Sequence, residues 1–139
     1  MKFHSLTILF LIVVSGGSVH AQEEVSGIRA GPKMAVVEAN HKDGFRLAEN
    51  AKKVIGLGVK PLGSSPYKIP KGAVVYYGDR IGVYRLRDGW FKLVEIQKIS
   101  DSNSETTISS SDLKTSDQIA VEGVALLRVS DMDAFGGEQ

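Results

Sequence analysis

Between Ile69 and Ile99 the chain reads IPKGAVVYYGDRIGVYRLRDGWFKLVEIQKI. β-Branched and aromatic residues fall into three runs. The first is Val74 to Tyr77, the second Ile81, Val83, Tyr84 and Leu86, the third Trp90, Phe91, Leu93, Val94 and Ile96. Gly78-Asp79 and Asp88-Gly89 separate the runs. Each is a two-residue loop of the kind that closes a tight hairpin, because glycine supplies positive φ without steric cost. The pattern predicts three antiparallel strands joined as a meander.

The turn at Asp88-Gly89 also sets a register. It pairs Arg87 with Trp90, Leu86 with Phe91, Arg85 with Lys92, Tyr84 with Leu93, Val83 with Val94 and Ile81 with Ile96. Alternation puts Leu86, Phe91, Tyr84 and Leu93 on one face and Arg85, Arg87 and Lys92 on the other. Farther from the turn the second face becomes apolar, through Val83, Val94, Ile81 and Ile96. A flat sheet packed on one side does not change its apolar face midway. A strongly coiled sheet, a small barrel or a bulge near Gly82 does.

The flanking segments read as shorter elements. Lys33 to Ala39 is a strand, His41 to Gly44 a turn, and Phe45 to Leu47 a second strand. Over Ala48 to Ile55 the period changes: Leu47, Ala51, Val54 and Ile55 share a helical face, and Gly56 is a helix stop. Leu57 to Pro61 is another strand, and Gly63 to Pro66 a connector. After the meander, Ser100 to Glu105 reads as a loop, Thr106 to Ser109 as a strand, Ser110 to Asp117 as a turn and Gln118 to Glu122 as the last strand. Gly123 breaks it. Periodicity leaves Val124 to Val129 open between a helical turn and a buried extended segment. From Ser130 the tail is acidic and reads as frayed.

At the other end, Lys2 and His4 precede an apolar run from Leu6 to Val14, followed by the small-residue site Val19-His20-Ala21. This is the pattern of a secretory signal peptide cut after Ala21. The run is shorter than the roughly 20 apolar residues of a membrane span. The expected organisation is a signal peptide over 1–21, a flexible leader over 22–32, one β-rich domain over 33–129 and the tail over 130–139. The expected product is an exported protein with no membrane span after cleavage.

Composition narrows the chemistry. The 139 residues carry a net charge of +1 and no cysteine. Neither nucleic acid nor a polyanionic substrate is suggested by that balance. His41 is the sole histidine beyond the signal segment, and no ligand-type spacing surrounds it, so neither a metal nor a cofactor is expected. The run Ser109-Ser110-Ser111-Asp112 lacks a nearby base and reads as a turn. The expectation is a non-enzymatic protein. Its candidate binding residues are Arg85, Arg87, Trp90 and Lys92, which the register groups on one face. Arg85 opposes Lys92, and like charges so placed repel. Solvation at the sheet edge relieves that, as does an acidic partner anchored on Trp90. In both cases alanine at the three cations is expected to leave folding intact.

The order of these pieces resembles the periplasmic adaptor subunits, or membrane-fusion proteins, of resistance–nodulation–division efflux pumps. The resemblance runs through Ile69-Pro70, Ala73-Val74-Val75, the Gly-Asp turn, Val83-Tyr84, Asp88-Gly89-Trp90-Phe91 and Val94. It continues through Ile108-Ser109, Leu113-Lys114, Asp117, Ile119, Val121 and Gly123, then Ala125-Leu126-Leu127. Phe45-Arg46-Leu47, Ala51 and the Ile55 to Val59 segment resemble the N-terminal entry to the adaptor core. The family usually has glycine where Asp112 and Ser116 stand here. Full adaptors also carry a lipoyl-like domain and a long α-helical hairpin, whereas this chain passes from Val59 to Ile69 in a few residues. The resemblance implies a small antiparallel β-barrel or β-roll like the adaptor membrane-proximal domain, with one short helix near 48–55. It also implies a periplasmic location and, as partner, an inner-membrane efflux transporter or another adaptor subunit. An alternative of a different class rests on Asp88-Gly89-Trp90-Phe91-Lys92, which resembles the Gly-Trp strand of bacterial SH3 domains. That reading is a secreted module binding cell-wall or peptide ligands.

Overall fold

The computed structural model describes residues 35–136. The expected signal peptide and leader lie outside the described residues. The fold is mainly β, with antiparallel pairing throughout.

In chain order the elements are β1 (Val36–Asn40), β2 (Gly44–Leu47), α1 (Glu49–Ile55), β3 (Gly58–Pro61) and β4 (Tyr67–Pro70), then a 3-10 turn at Lys71–Ala73. There follow β5 (Val75–Tyr77), β6 (Arg80–Arg87), β7 (Trp90–Glu95), β8 (Gln97–Asp101), β9 (Glu105–Ser109), β10 (Gln118–Glu122) and α2 (Val124–Phe135). A seven-stranded sheet has the order β1-β2-β7-β6-β10-β3, with β5 also on β6, and a three-stranded sheet has the order β4-β9-β8. Neither closes into a barrel.

The β6–β7 hairpin has the register that its turn dictates, from Arg87↔Trp90 to Val83↔Val94, and Gly82 pairs regularly with Glu95. Asp88 at φ 52° and Gly89 at φ 81° give the positive φ at both central positions that the tight hairpin turn requires. A Cβ at Gly89 would meet only the mobile end of Arg46, 3.2 Å away. The cost of Gly89→Val is therefore mainly conformational, about 1–2 kcal/mol. An unchanged denaturation midpoint would remove this turn assignment.

The change of apolar face has a simple cause: the large sheet is packed on both sides. Tyr84, Phe91, Phe45, Val75 and Ala120 form one core with Leu127 of α2, and Ile55 and Leu57 pack against it. Val83, Val94, Ile96 and Ile119 form a second core on the opposite face with Tyr67, Ile69 and Ile108 of the small sheet. The layers are therefore helices, large sheet and small sheet. Since the small sheet covers only the Val83–Val94 part of its face, no coiling or bulge at Gly82 is needed.

Three local expectations are corrected. Ser100 and Asp101 belong to β8, whose hairpin to β9 leaves Ser102 to Ser104 as the loop. Val54 lies off the packed stripe of α1 and is 82% exposed, because this helix of two turns buries only the line through Ala51 and Ile55. The segment from Ser130 is not frayed: α2 runs on to Phe135, with Ser130 and Asp131 buried. The reason is a buried polar contact. Tyr84 Oη donates to Asp131 Oδ2 at 2.6 Å, and Arg128 donates to the same oxygen at 3.0 Å. Burial and the adjoining carboxylate push the Tyr84 phenol well above its ordinary pKa, so it stays a donor.

Candidate functional site

The half of the large sheet not covered by the small sheet carries Arg85, Arg87, Trp90 and Lys92. The turn geometry explains why they meet: Arg87 opposes Trp90 and Arg85 opposes Lys92, so all four share a face. β2 adds Arg46, because Phe45 pairs with Phe91. The Arg46 guanidinium lies 5.5 Å from the centre of the Trp90 ring and 3.5 Å from the Glu38 carboxylate.

Solvation at the sheet edge is not what relieves the three cations: each is held by acceptors of the protein itself. Arg87 makes a two-pronged contact with Asp117, Nε to Oδ1 and Nη2 to Oδ2, both 2.7 Å. Asp117 is 2% exposed. It also accepts from the Lys114 backbone N–H at 2.8 Å, and its own carbonyl accepts from Leu62 N–H at 3.1 Å. Asp117 thus ties β6 and the 112–117 loop together through its carboxylate and reaches the end of β3 through its backbone carbonyl. Burial raises the Asp117 pKa, but the hydrogen bonds from Arg87 and Lys114 and the positive charge of Arg87 outweigh it. The carboxyl is held below its ordinary range.

Lys92 donates to the carbonyls of Lys42 at 2.7 Å and His41 at 3.4 Å, so it staples the β1–β2 turn. Arg85 and Arg87 each donate to the Asp112 carbonyl, at 3.3 and 3.2 Å. Arg85 Nε is buried without a hydrogen-bond partner among the described residues. Burial, and then repulsion from Arg87, lower the Arg85 pKa. The expectation that alanine at all three cations leaves folding intact is therefore corrected at Arg87, which neutralises a buried charge. Sequence reasoning missed Asp117 as the counter-ion and Arg46 as the group on Trp90. A shallow cleft of about 500 Å³ opens beside them, between Pro61, Asp88, Lys114 and Ser116.

The serine run and His41 make local contacts. Ser110 Oγ donates to the Glu95 carbonyl at 2.7 Å and accepts from Asp112 N–H at 3.3 Å, which is turn chemistry. The exposed His41 ring lies 5.0 Å from that of Phe135. Among the described residues no group of three or more His, Cys, Asp or Glu is arranged to hold a metal ion, and no helix is long and apolar enough to cross a membrane. Four outer strands carry features that discourage strand addition. β1 and β8 have an extra bulged residue, Val37 and Ile99, while β3 and β4 end in Pro61 and Pro70.

No protein-family model matches the chain, no curated protein matches it, and no solved structure matches it.

Proposed function

We propose that this chain is an exported, non-enzymatic, adaptor-like protein that acts by protein–protein contact. Its partner would be an inner-membrane efflux transporter or another adaptor subunit of such a pump. The observation that carries the reading is where the adaptor-like residues fall. Ile69, Ala73, Val83, Val94, Ile108, Leu113 and Ile119 make up most of one core, and Val75, Tyr84, Phe91 and Leu127 line the other. Asp117 is the buried tie between β6 and the late turn. The resemblance thus lies in residues that build the fold, which scattered surface matches would not give.

Contact is proposed on the uncovered half of the large sheet, with Trp90 and the Arg46 guanidinium over its ring as the anchor. Bulged and proline-ended outer strands argue for side-chain recognition over strand addition. Arg87 and Lys92 support this surface from within, since each is already held by the protein.

The test is affinity purification of the full chain from detergent-solubilised envelopes of its host. A pump component should co-purify. Trp90→Ala should weaken that association by about 2 kcal/mol or more, the scale of a tryptophan hot spot, with the thermal midpoint little changed. The protein recovered should begin at Gln22 by mass spectrometry. An intact Met1 in the membrane fraction would remove the periplasmic assignment. Sedimentation with peptidoglycan in place of a pump component would support the SH3-like reading, and association with neither would remove both.

A further inference from the structure

α2 presents an unusual surface. One side of the helix packs inward through Leu127, Ser130 and Asp131. The other side is also apolar: Leu126 is 51% exposed, Val129 54% and Met132 47%. At 100° per residue, Ala125, Leu126, Val129, Met132 and Asp133 occupy one face centred on Val129. An isolated surface helix carries polar residues on that side.

The charges around this face are polarised. The first turn contains no acidic residue, and Gly123 supplies no side-chain cap to its N–H groups. The last turn contains no basic residue. Asp133 sits near the C-terminal end, where the helix dipole disfavours a negative charge. Since Arg128 is the helix's only cation and is held by Asp131, the face lacks the basic rim of a helix that binds anionic lipid.

These features complement each other under a two-fold axis. Set antiparallel with the axis at Val129, two such helices place Leu126 level with Met132 of the second copy, on opposite flanks of the Val129 seam. Asp133 then falls beside Ala125, at the partner's uncapped first turn, where the dipole favours a carboxylate. We propose that α2 is a self-association surface and that its occupant is α2 of a second copy of this chain, packed antiparallel. The inference does not rest on the adaptor reading.

The chain has no cysteine, which makes a direct test possible. Oxidation of the full-length Val129→Cys variant should give a disulfide-linked dimer, because the axis brings the two thiols together. Val37→Cys, on β1 and 52% exposed, should not. In sedimentation across a concentration series, Val129→Lys should raise the dissociation constant at least about tenfold, since it buries two like charges at the axis. Asp133→Lys should weaken the dimer about two- to fivefold while raising the stability of the helix it sits on. That opposite sign separates an intermolecular role from a merely structural one. A monomer at every concentration, a dimer indifferent to Val129→Lys, or equal cross-linking at positions 37 and 129 would overturn the proposal. So would cross-linking of Val129→Cys to a different protein alone.

Discussion

Arg87→Ala is expected to destabilise the protein by about 2–4 kcal/mol. Removing one partner of a fully buried ion pair costs about 3–5 kcal/mol, because the other charge is left without compensation. The value here is lower because the Arg87 side chain is 31% exposed, whereas that of Asp117 is 1% exposed. The pH dependence gives the argument a second handle. The Asp117 pKa is depressed in the folded state. Its contribution is therefore present above the unfolded value of about 4 and is lost as pH falls through the folded pKa. In Arg87→Ala, burial acts on Asp117 without its main counter-ion. The stability gap between wild type and variant should thus be full near neutrality and close as pH falls below about 4. Denaturant titrations at several pH values measure this. A constant gap would show that Arg87 contributes through packing of its side chain, with Asp117 neutral or otherwise satisfied.

Gly44→Ala is expected to be at least as damaging. Gly44 opens β2 at φ 106°, and a Cβ there would lie 2.0 Å from the Phe91 carbonyl oxygen and 3.0 Å from Lys92 Cβ. The first obstacle is backbone, so no rotamer change relieves it. Disfavoured φ costs about 1–2 kcal/mol, and forcing atoms into a packed site about 1–3 kcal/mol more. The sum, upwards of about 3 kcal/mol, falls on the place where β2 joins β7 and where Phe45 meets Phe91. Gly63→Ala is the control. It also has positive φ, 74°, but nothing lies within 4 Å of its would-be Cβ. It should cost only about 1–2 kcal/mol. Equal losses in the two variants would mean that the close approach of β2 to β7 is not what requires glycine at 44.

What was legible in the sequence was local. Asp88-Gly89 fixes the β6–β7 register because a two-residue loop leaves no freedom, and that register alone gathers Arg85, Arg87, Trp90 and Lys92. Gly56, the stop expected for α1, adopts φ 67°. The partner of Arg87 was hidden because Asp117 is 30 positions away, and it arrives only when β10 lies against β6. The small sheet was hidden for the same reason: Tyr67 meets Ile108 across the whole meander. The C-terminal helix was obscured by an inverted pattern. Its apolar residues Leu126, Val129 and Met132 face outward while Ser130 and Asp131 face inward. A periodicity argument assumes the opposite.

The two cores share their strands residue by residue. Val83 serves one and Tyr84 the other, and the same alternation recurs at Ile119 and Ala120. Losing either core therefore unravels strands on which the other depends. The unfolding reaction should accordingly be all-or-none, with calorimetric and van't Hoff enthalpies in agreement. The slowest amide protons, those of β6 and β7, should exchange only through global opening. In the proposed setting of an exported protein, such coupling leaves little partially open chain for an envelope protease to cut.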